Sequence, residues 1–227
     1  MTIAAITERH TDKDLATLFP GTDIRRMKSV PAHHEPGIGA YVDLDFTPGV
    51  SRVGVDASQV EPDASRVERL RALLPALVLV NAVTPTLREI GEPFVRINAW
   101  PGFGRLKVHE LVTPDEATKQ RIVTFYSQLD CECRFAPDLP GMISARIVAG
   151  IINEAWYTWE EKVSSKEEID TAMRLGTNYP MGPFEWGERI GLGHVADLLW
   201  SLSKTDSRYM PAKALQSYLI GMRSEEK

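Results

Sequence analysis

The sequence predicts two domains of different class, an α/β domain followed by an all-α domain, with the boundary near 138–141. Three observations predict this. In the first half, short apolar or alternating runs such as Ala76 to Val80 interleave with helical patterns, as in a sheet covered by helices. After Pro140-Gly141 no strand-like run occurs and helical periodicity dominates. Within that second half, the stretch from Gly176 to Trp186 sets Gly176, Pro180, Gly182 and Pro183 in one connection between helical segments. Prolines cannot continue a helix interior, and glycine allows backbone that other residues avoid. The apolar Tyr179, Met181, Phe184 and Trp186 predict that this connection is a buried turn.

Composition sets the outer limits. The 227 residues are 43% hydrophobic and 25% charged, ordinary values for a globular protein with a normal core. The net charge of −5, without a basic block, argues against nucleic acid or an anionic membrane surface as a partner. No apolar run approaches the roughly 18 residues of a membrane span, and no leader is evident at the start, so a cytoplasmic protein is expected. Cys131 and Cys133 share a face on a strand and are poorly placed for a disulfide. They form no second cluster to complete the four or so ligands of a zinc site. Both are expected to be plain strand residues, and no metal is expected.

In chain order, Thr7 to Leu18 reads as a polar helix broken by Pro20-Gly21. Pro31 to Gly39 reads as a loop, in which the side chains of His33 and His34 diverge. Gly37-Ile38-Gly39 has the start of a dinucleotide fingerprint, but Val42 stands where the third glycine belongs and no apolar strand precedes it. Gly102-Phe103-Gly104 fails the same way, so no phosphate-cradling loop is found. Tyr41 to Phe46 alternates as a half-buried strand. Ser65 to Leu74 has a helical face of Val67, Leu70, Leu73 and Leu74. Ala76 to Val80 reads as a strand buried on both faces. Phe94 to Trp100 and Leu106 to Val112 read as strands joined by the Pro101-Gly102 turn. Thr113 as N-cap and Pro114 at the first helical position start a helix running to about Leu129. Cys131 to Phe135 closes the sheet.

The second half opens with a long helix, Met142 to Lys162, with Ile143, Ile147, Ile151, Ala155 and Trp159 along one side. Ser165 and Glu168 form a capping box for a helix from Lys166 to Leu175, stopped at Gly176. Shorter helices follow at about 182–190, 194–203 and 212–222.

The second half resembles the C-terminal domain of the 3-hydroxyacyl-CoA dehydrogenases. The resemblance is carried by Pro140-Gly141-Met142-Ile143, Arg146, Asn153-Glu154-Ala155, the run from Glu168 to Met173, Gly176, the run from Tyr179 to Glu185, Gly191-Leu192 and Arg208-Tyr209. More weakly, Asn81, Glu89 and Ile90, and the strand pair from Phe94 to Val112, resemble the second half of that family's Rossmann-like domain. The resemblance implies a truncated Rossmann-like domain over 1–138, lacking the glycine-loop half, and an all-α domain over 139–227 that forms a homodimer. About forty residues precede Tyr41, and no strand, glycine loop, helix and second strand with a ribose-binding acid is found among them. The family implies NAD, but no cofactor-binding residue is identified.

The resemblance also assigns site positions. The family uses a histidine base, a glutamate that orients it, and a serine and an asparagine that hold substrate oxygens. Those positions fall on Asn98, Glu110, Val83 and Ala145. An amide accepts no proton at neutral pH, so Asn98 is no general base, and losing the base costs about 10²–10⁴ in rate. Glu110 is the one catalytic position retained, and Asn98 a hydrogen-bond donor beside it. Val83, Ala145, Trp100 and Arg146 are expected to line a substrate cleft. The plain alternative for Glu110 is a strand-end residue paired with Arg96, Arg105 or Lys107. His109 should face away from Glu110.

Three readings remain open. The chain is a dimeric scaffold that binds an acyl thioester or related small molecule without redox chemistry. It is a repurposed, NAD-independent enzyme using Glu110. Or it is an active dehydrogenase whose cofactor site has an unfamiliar form.

Overall fold

The computed structural model describes residues 2–46, 64–103 and 107–225. They fall into two units, which divide after Met142. In the first, β1 (Thr2–Ile6), α1 (Asp12–Leu18), β2 (Asp23–Met27) and β3 (Ile38–Asp43) come first. They are followed by α2 (Ala64–Arg71), β4 (Leu77–Val80), α3 (Leu87–Ile90), β5 (Val95–Ile97), β6 (Val108–Val112), α4 (Glu116–Tyr126) and β7 (Glu132–Phe135). The strands form one seven-stranded sheet in the order β2-β1-β3-β4-β5-β6-β7. All neighbours are parallel except β5 and β6.

The strand–helix–strand unit for which the sequence leaves no place is therefore there, in residues 2–27. Thr2–Ile6 is short and its Ala4 and Ala5 are weak strand formers, so the run carries little pattern of its own. It is a strand because it is central, paired on both sides and fully buried from Ile3 to Ile6. Asp23–Met27, with two arginines, is the exposed edge. The helix expected from Thr7 begins only at Asp12, where Thr11 and Asp14 make a reciprocal capping box.

Helices cover both faces of the sheet. Leu15 and Leu18 of α1 and Ile122, Phe125 and Tyr126 of α4 pack with Ile3, Ala5, Val42, Leu79 and Ile97. Val67 and Leu70 of α2, with Leu73, pack on the opposite face with Ala4, Ile6, Tyr41, Val78 and Val80. The apolar run of β4 alternates between these two cores, as a strand buried on both faces must. The N-cap of α4 is Asp115, not Thr113; its carboxylate accepts from Thr118 N–H at 2.6 Å.

Arg96 on β5 has no solvent exposure. Its guanidinium donates to the carbonyls of Ala82 (2.8 Å), Val83 (2.9 Å) and Leu139 (3.2 Å) and to the Asp138 carboxylate (2.6 Å). Burial lowers its pKa from the usual arginine value, and Asp138 opposes that. Asp138 also accepts the N–H groups of Leu87 and Arg88 at the start of α3.

The second unit, Ile143–Lys227, is helical throughout its described residues: α5 (Ser144–Glu160), α6 (Lys166–Thr177), α7 (Pro183–Ile190), α8 (Leu192–Ser203), a 3-10 turn at Ser207–Tyr209, and α9 (Lys213–Glu225). The face α5 buries is Ala145, Val148, Ala149, Ile152, Asn153, Ala155 and Trp156. Of the row Ile143, Ile147, Ile151, Ala155 and Trp159, Ile143 and Ile147 are about half exposed and Trp159 is exposed, whereas Ala155 is buried. The helix is apolar on two sides, so a four-residue spacing alone does not choose between them. Asn153 is buried. Its amide donates to the Met210 carbonyl (2.8 Å) and accepts from Ala212 N–H (2.9 Å), which fixes the chain entering α9.

The connection from 176 to 186 is buried only in its second half, at Met181–Phe184; Gly176 to Asn178 and Pro180 are exposed. The capping box of Ser165 and Glu168 forms as expected. The stop comes from Asn178 in the left-handed conformation, after Thr177, so α6 outlasts Gly176. Pro183 opens α7, as its missing N–H favours. Asp170 accepts the N–H groups of Phe184 and Glu185 at 2.8 and 3.0 Å, and a Cβ on Gly182 would lie inside that side chain.

Two outcomes follow from these contacts. Arg96→Met should lower unfolding stability by about 3–5 kcal/mol in urea titrations with unchanged m-value, and Asp138→Ala, which strands the buried cation, by at least as much. Gly182→Ala should displace the Asp170 cap and cost about 1–3 kcal/mol, whereas Gly176→Ala, with open space around it, should not destabilise.

Candidate functional site

The antiparallel pairing of β5 with β6 sets Arg96 opposite Val112 and Ile97 opposite Leu111. Continued by one residue, it puts Asn98 opposite Glu110, and the Asn98 N–H donates to the Glu110 carbonyl at 3.1 Å. Opposed residues on antiparallel strands share a face with Cβ atoms about 4.5–5.5 Å apart. The two positions singled out in the sequence are thus brought together. Asn98 is buried and Glu110 half-buried. The Asn98 side-chain oxygen accepts from Trp100 N–H at 3.3 Å. Asn81 ties the neighbouring segments: its oxygen accepts from Ala99 N–H (3.0 Å) and its amide donates to the Leu44 carbonyl (3.2 Å).

Two of the cations offered as partners of Glu110 are engaged elsewhere. Arg96 is bound to Asp138, and Lys107 pairs with Asp130 at 2.8 Å. Arg105 lies outside the described residues. Val83 is buried and its carbonyl accepts from both Arg96 and Gly141 N–H. Trp100 is buried edge-on to Phe103. Ala145 and Arg146 belong to the helical unit. Ala145 is fully buried there, and the Arg146 guanidinium sits 5.7 Å from the centre of the Tyr209 ring.

His109 points to the other face, as alternation requires. It is buried edge-on to Phe19 and Tyr126, with Nδ1 2.8 Å from the Tyr126 hydroxyl. Burial pushes its pKa down to about 4, and the Leu18 backbone opposes this. The thiols of Cys131 and Cys133 are free, and burial pushes Cys131 up to about 11. Such thiols are poor nucleophiles. Among the described residues no group of three or more His, Cys, Asp or Glu could hold a metal, and no helix is long and apolar enough to cross a membrane.

The sheet also has a topological switch point. From β1 the chain moves to β2 on one side and returns to β3 on the other, so the crevice beyond the carboxyl ends of β1 and β3 is where such folds bind ligands. Its contents do not suit a dinucleotide. The turn after β1 is Thr7-Glu8-Arg9-His10-Thr11, with no glycine to let a pyrophosphate approach. Asp45 takes the donors there, accepting Glu8 N–H at 2.5 Å and the Thr7 hydroxyl at 2.9 Å. Thr7 in turn accepts the N–H groups of Arg9 and His10. Beside it, the buried Asp43 is clamped by both Nε and Nη2 of Arg66 at 2.6 Å; burial raises its pKa and Arg66 opposes that. At the end of β2, where a ribose-binding acid would stand, are Met27 and Lys28. The residues present do not fit NAD.

A helix-flanked, mostly parallel sheet followed by a helical unit defines the class: a Rossmann-like domain with an all-α partner. The chain belongs to the 3-hydroxyacyl-CoA dehydrogenase family. It is 48% identical over 198 residues to a 3-hydroxybutyryl-CoA dehydrogenase of Clostridioides difficile, covering 83% of this chain and 70% of that protein. Residues 141–227 match the family model for the 3-hydroxyacyl-CoA dehydrogenase C-terminal domain. A 3-hydroxyadipyl-CoA dehydrogenase of Escherichia coli (strain K12) is 42% identical over 130 residues, 56% of this chain but 27% of that protein. Matches to relatives from Bradyrhizobium diazoefficiens and Bacillus subtilis span 38% and 51% of their length. Among solved structures, the (S)-3-hydroxybutyryl-CoA dehydrogenase PaaH1 from Ralstonia eutropha aligns over 97% of this chain and 93% of its own, with a TM-score of 0.68 at 15% identity, a likeness of fold.

The Asp45 turn could be read from the sequence only by knowing that Thr7 and Asp45 end neighbouring strands. The absent glycines after Ile6 are the part visible beforehand.

His109 predicts acid sensitivity. An unfolded imidazole takes a proton below about 6.5, the folded one only near 4, so its contribution is complete above pH 6.5 and is lost as pH falls towards 4. The loss should approach about 3 kcal/mol. The paired change His109→Phe with Tyr126→Phe should flatten stability over that window in denaturant titrations.

Proposed function

We propose that this chain is a 3-hydroxyacyl-CoA dehydrogenase-like protein that performs no NAD-dependent hydride transfer and serves as a dimeric scaffold binding an acyl thioester or related small molecule. The observation that carries the proposal is the pair formed by Asn98 and Glu110. The glutamate remains opposite the position that the family resemblance assigns to the base, but an amide there takes no proton from a hydroxyl. The switch point supports the same reading, since its N–H donors are committed to Asp45 rather than open to phosphate. The substrate class comes from the family's name and the names of the relatives. The half-exposed Ile143, at the N-cap of α5, and Ile147, on the helix, are an apolar surface of the kind a second copy covers.

A second reading draws on the same pair: Glu110 as acid or base in NAD-independent chemistry on an acyl thioester, with the Asn98 amide as donor. A third is an active dehydrogenase with a cofactor site of different form.

Acetoacetyl-CoA with NADH separates them. The proposal expects no change at the nicotinamide band, saturable acetoacetyl-CoA binding by calorimetry, and a dimer by light scattering. Asn98→His should remain silent, because the dinucleotide cradle is still missing. NADH oxidation by the unaltered protein would establish the third reading and sink the proposal. Turnover of an acyl thioester without NADH, lost at least 10²-fold in Glu110→Gln, would establish the second.

A further inference from the structure

Lys166, the first residue of α6, extends its ammonium into a set of four aromatic rings from three other helices. Nζ lies 4.1 Å from the ring centre of Trp156, 4.5 Å from Trp159, 4.8 Å from Tyr218 and 5.3 Å from Phe184. All four fall within the ~6 Å over which a ring face attracts a cation. Trp156 and Phe184 form a buried floor, with ring centres 5.4 Å apart. Trp159 and Tyr218 form the rim, each 38% exposed, and stand 5.6 and 5.3 Å from Trp156.

The rings favour the ammonium there, Glu188 and Glu167 add attraction, and desolvation and the helix dipole oppose it. The first turn of a helix carries the positive end of its dipole, so a cation is disfavoured there. Glu167 and Glu188 act on the ammonium only through space, and desolvation works against its charge. The ring set, with these two carboxylates nearby, thus makes an attractive place for a cation. The side chain is long and half-buried, its helix position borders solvent, and its ammonium regains hydration on leaving.

We propose that the box formed by Trp156, Trp159, Phe184 and Tyr218 is a binding site for a small ligand bearing a quaternary ammonium group, with Lys166 as the resident cation that the ligand displaces. A trimethylammonium group suits the box better than lysine. It is more weakly hydrated, and its methyl groups cover the ring faces while the charge still meets their negative quadrupoles. The floor supplies apolar contact and the exposed rim supplies the entry. This site lies wholly in the helical unit and does not depend on the thioester reading above.

The probe is choline, titrated into the full chain and followed by the indole N–H resonances of Trp156 and Trp159. Its control is the uncharged isostere in which a tert-butyl group replaces the trimethylammonium. The expected result is saturable movement of both resonances with choline and none with the isostere. Lys166→Gln, which removes the internal competitor, should bind choline roughly tenfold more tightly. Trp159→Leu should abolish binding while circular dichroism stays native. No saturation in either the unaltered chain or Lys166→Gln overturns the proposal. So does an equal response to the isostere, which would make the box an apolar patch. Binding by Lys166→Gln alone also overturns it, because Lys166 would then be a fixed structural cation.

Discussion

A guanidinium with no exposure to water needs a partner for its charge and its N–H groups, and Arg96 obtains them from segments far apart in sequence. The Ala82 and Val83 carbonyls come from the exit of β4, and the Asp138 carboxylate and Leu139 carbonyl from the end of the α/β unit. The ladder between β4 and β5 is only two residues long, Leu79 with Val95 and Val80 with Arg96. The arginine extends that short contact beyond the backbone. Its position sets where β5 leaves the sheet, and Asn98 lies two residues further along the same face. Asp138 couples α3 to this network by taking its first N–H groups, so helix, strand and chain exit share one electrostatic anchor.

The switch point is built on the opposite electrostatic principle to that of a dinucleotide site. A phosphate cradle leaves backbone N–H groups open and places a helix N-terminus towards the anion. Here the N–H groups of Glu8, Arg9 and His10 go to Asp45 and Thr7, and α1 is closed by its own capping box. The donors are satisfied inside the chain, and a carboxylate sits where an anionic ligand would have to approach. A Rossmann-like sheet is compatible with this because its stability comes from the two apolar cores and the strand ladders, not from the loop at their ends.

The helical unit follows a simpler logic. Asn153 and Asp170 each use one side chain to satisfy two backbone positions of a distant segment, and Gly182 is small because Asp170 needs its space. These residues are among those that carry the family resemblance, which explains why the resemblance reads fold so well and chemistry so poorly. The aromatic box shares Phe184 of α7 with that framework and takes its other rings from α5 and α9, around the start of α6.

Much of the fold was legible in the sequence where local chemistry is self-sufficient. The capping box of Ser165 and Glu168, Pro183 at the start of α7 and the fully apolar β4 depend on neighbours within a few residues, so pattern reveals them. The alternation that separates His109 from Glu110 is equally local. What pattern could not supply is pairing. Thr2–Ile6 is a strand because Asp23–Met27 and Ile38–Asp43 flank it, and its own residues carry almost no strand preference. The buried side of α5 was decided by what packs on it, since both sides are apolar. Arg96 passed for a surface partner of Glu110 because nothing near it in sequence discloses Asp138. The sequence by itself determined the two-domain class, the helical framework and an amide at Asn98, which accepts no proton at neutral pH, all properties of single residues or short spans. Only the tertiary structure decided that the first strands exist, that Asp45 takes the switch-point donors and that Lys166 sits among four rings, because each of these is a contact between segments that the chain brings together only on folding.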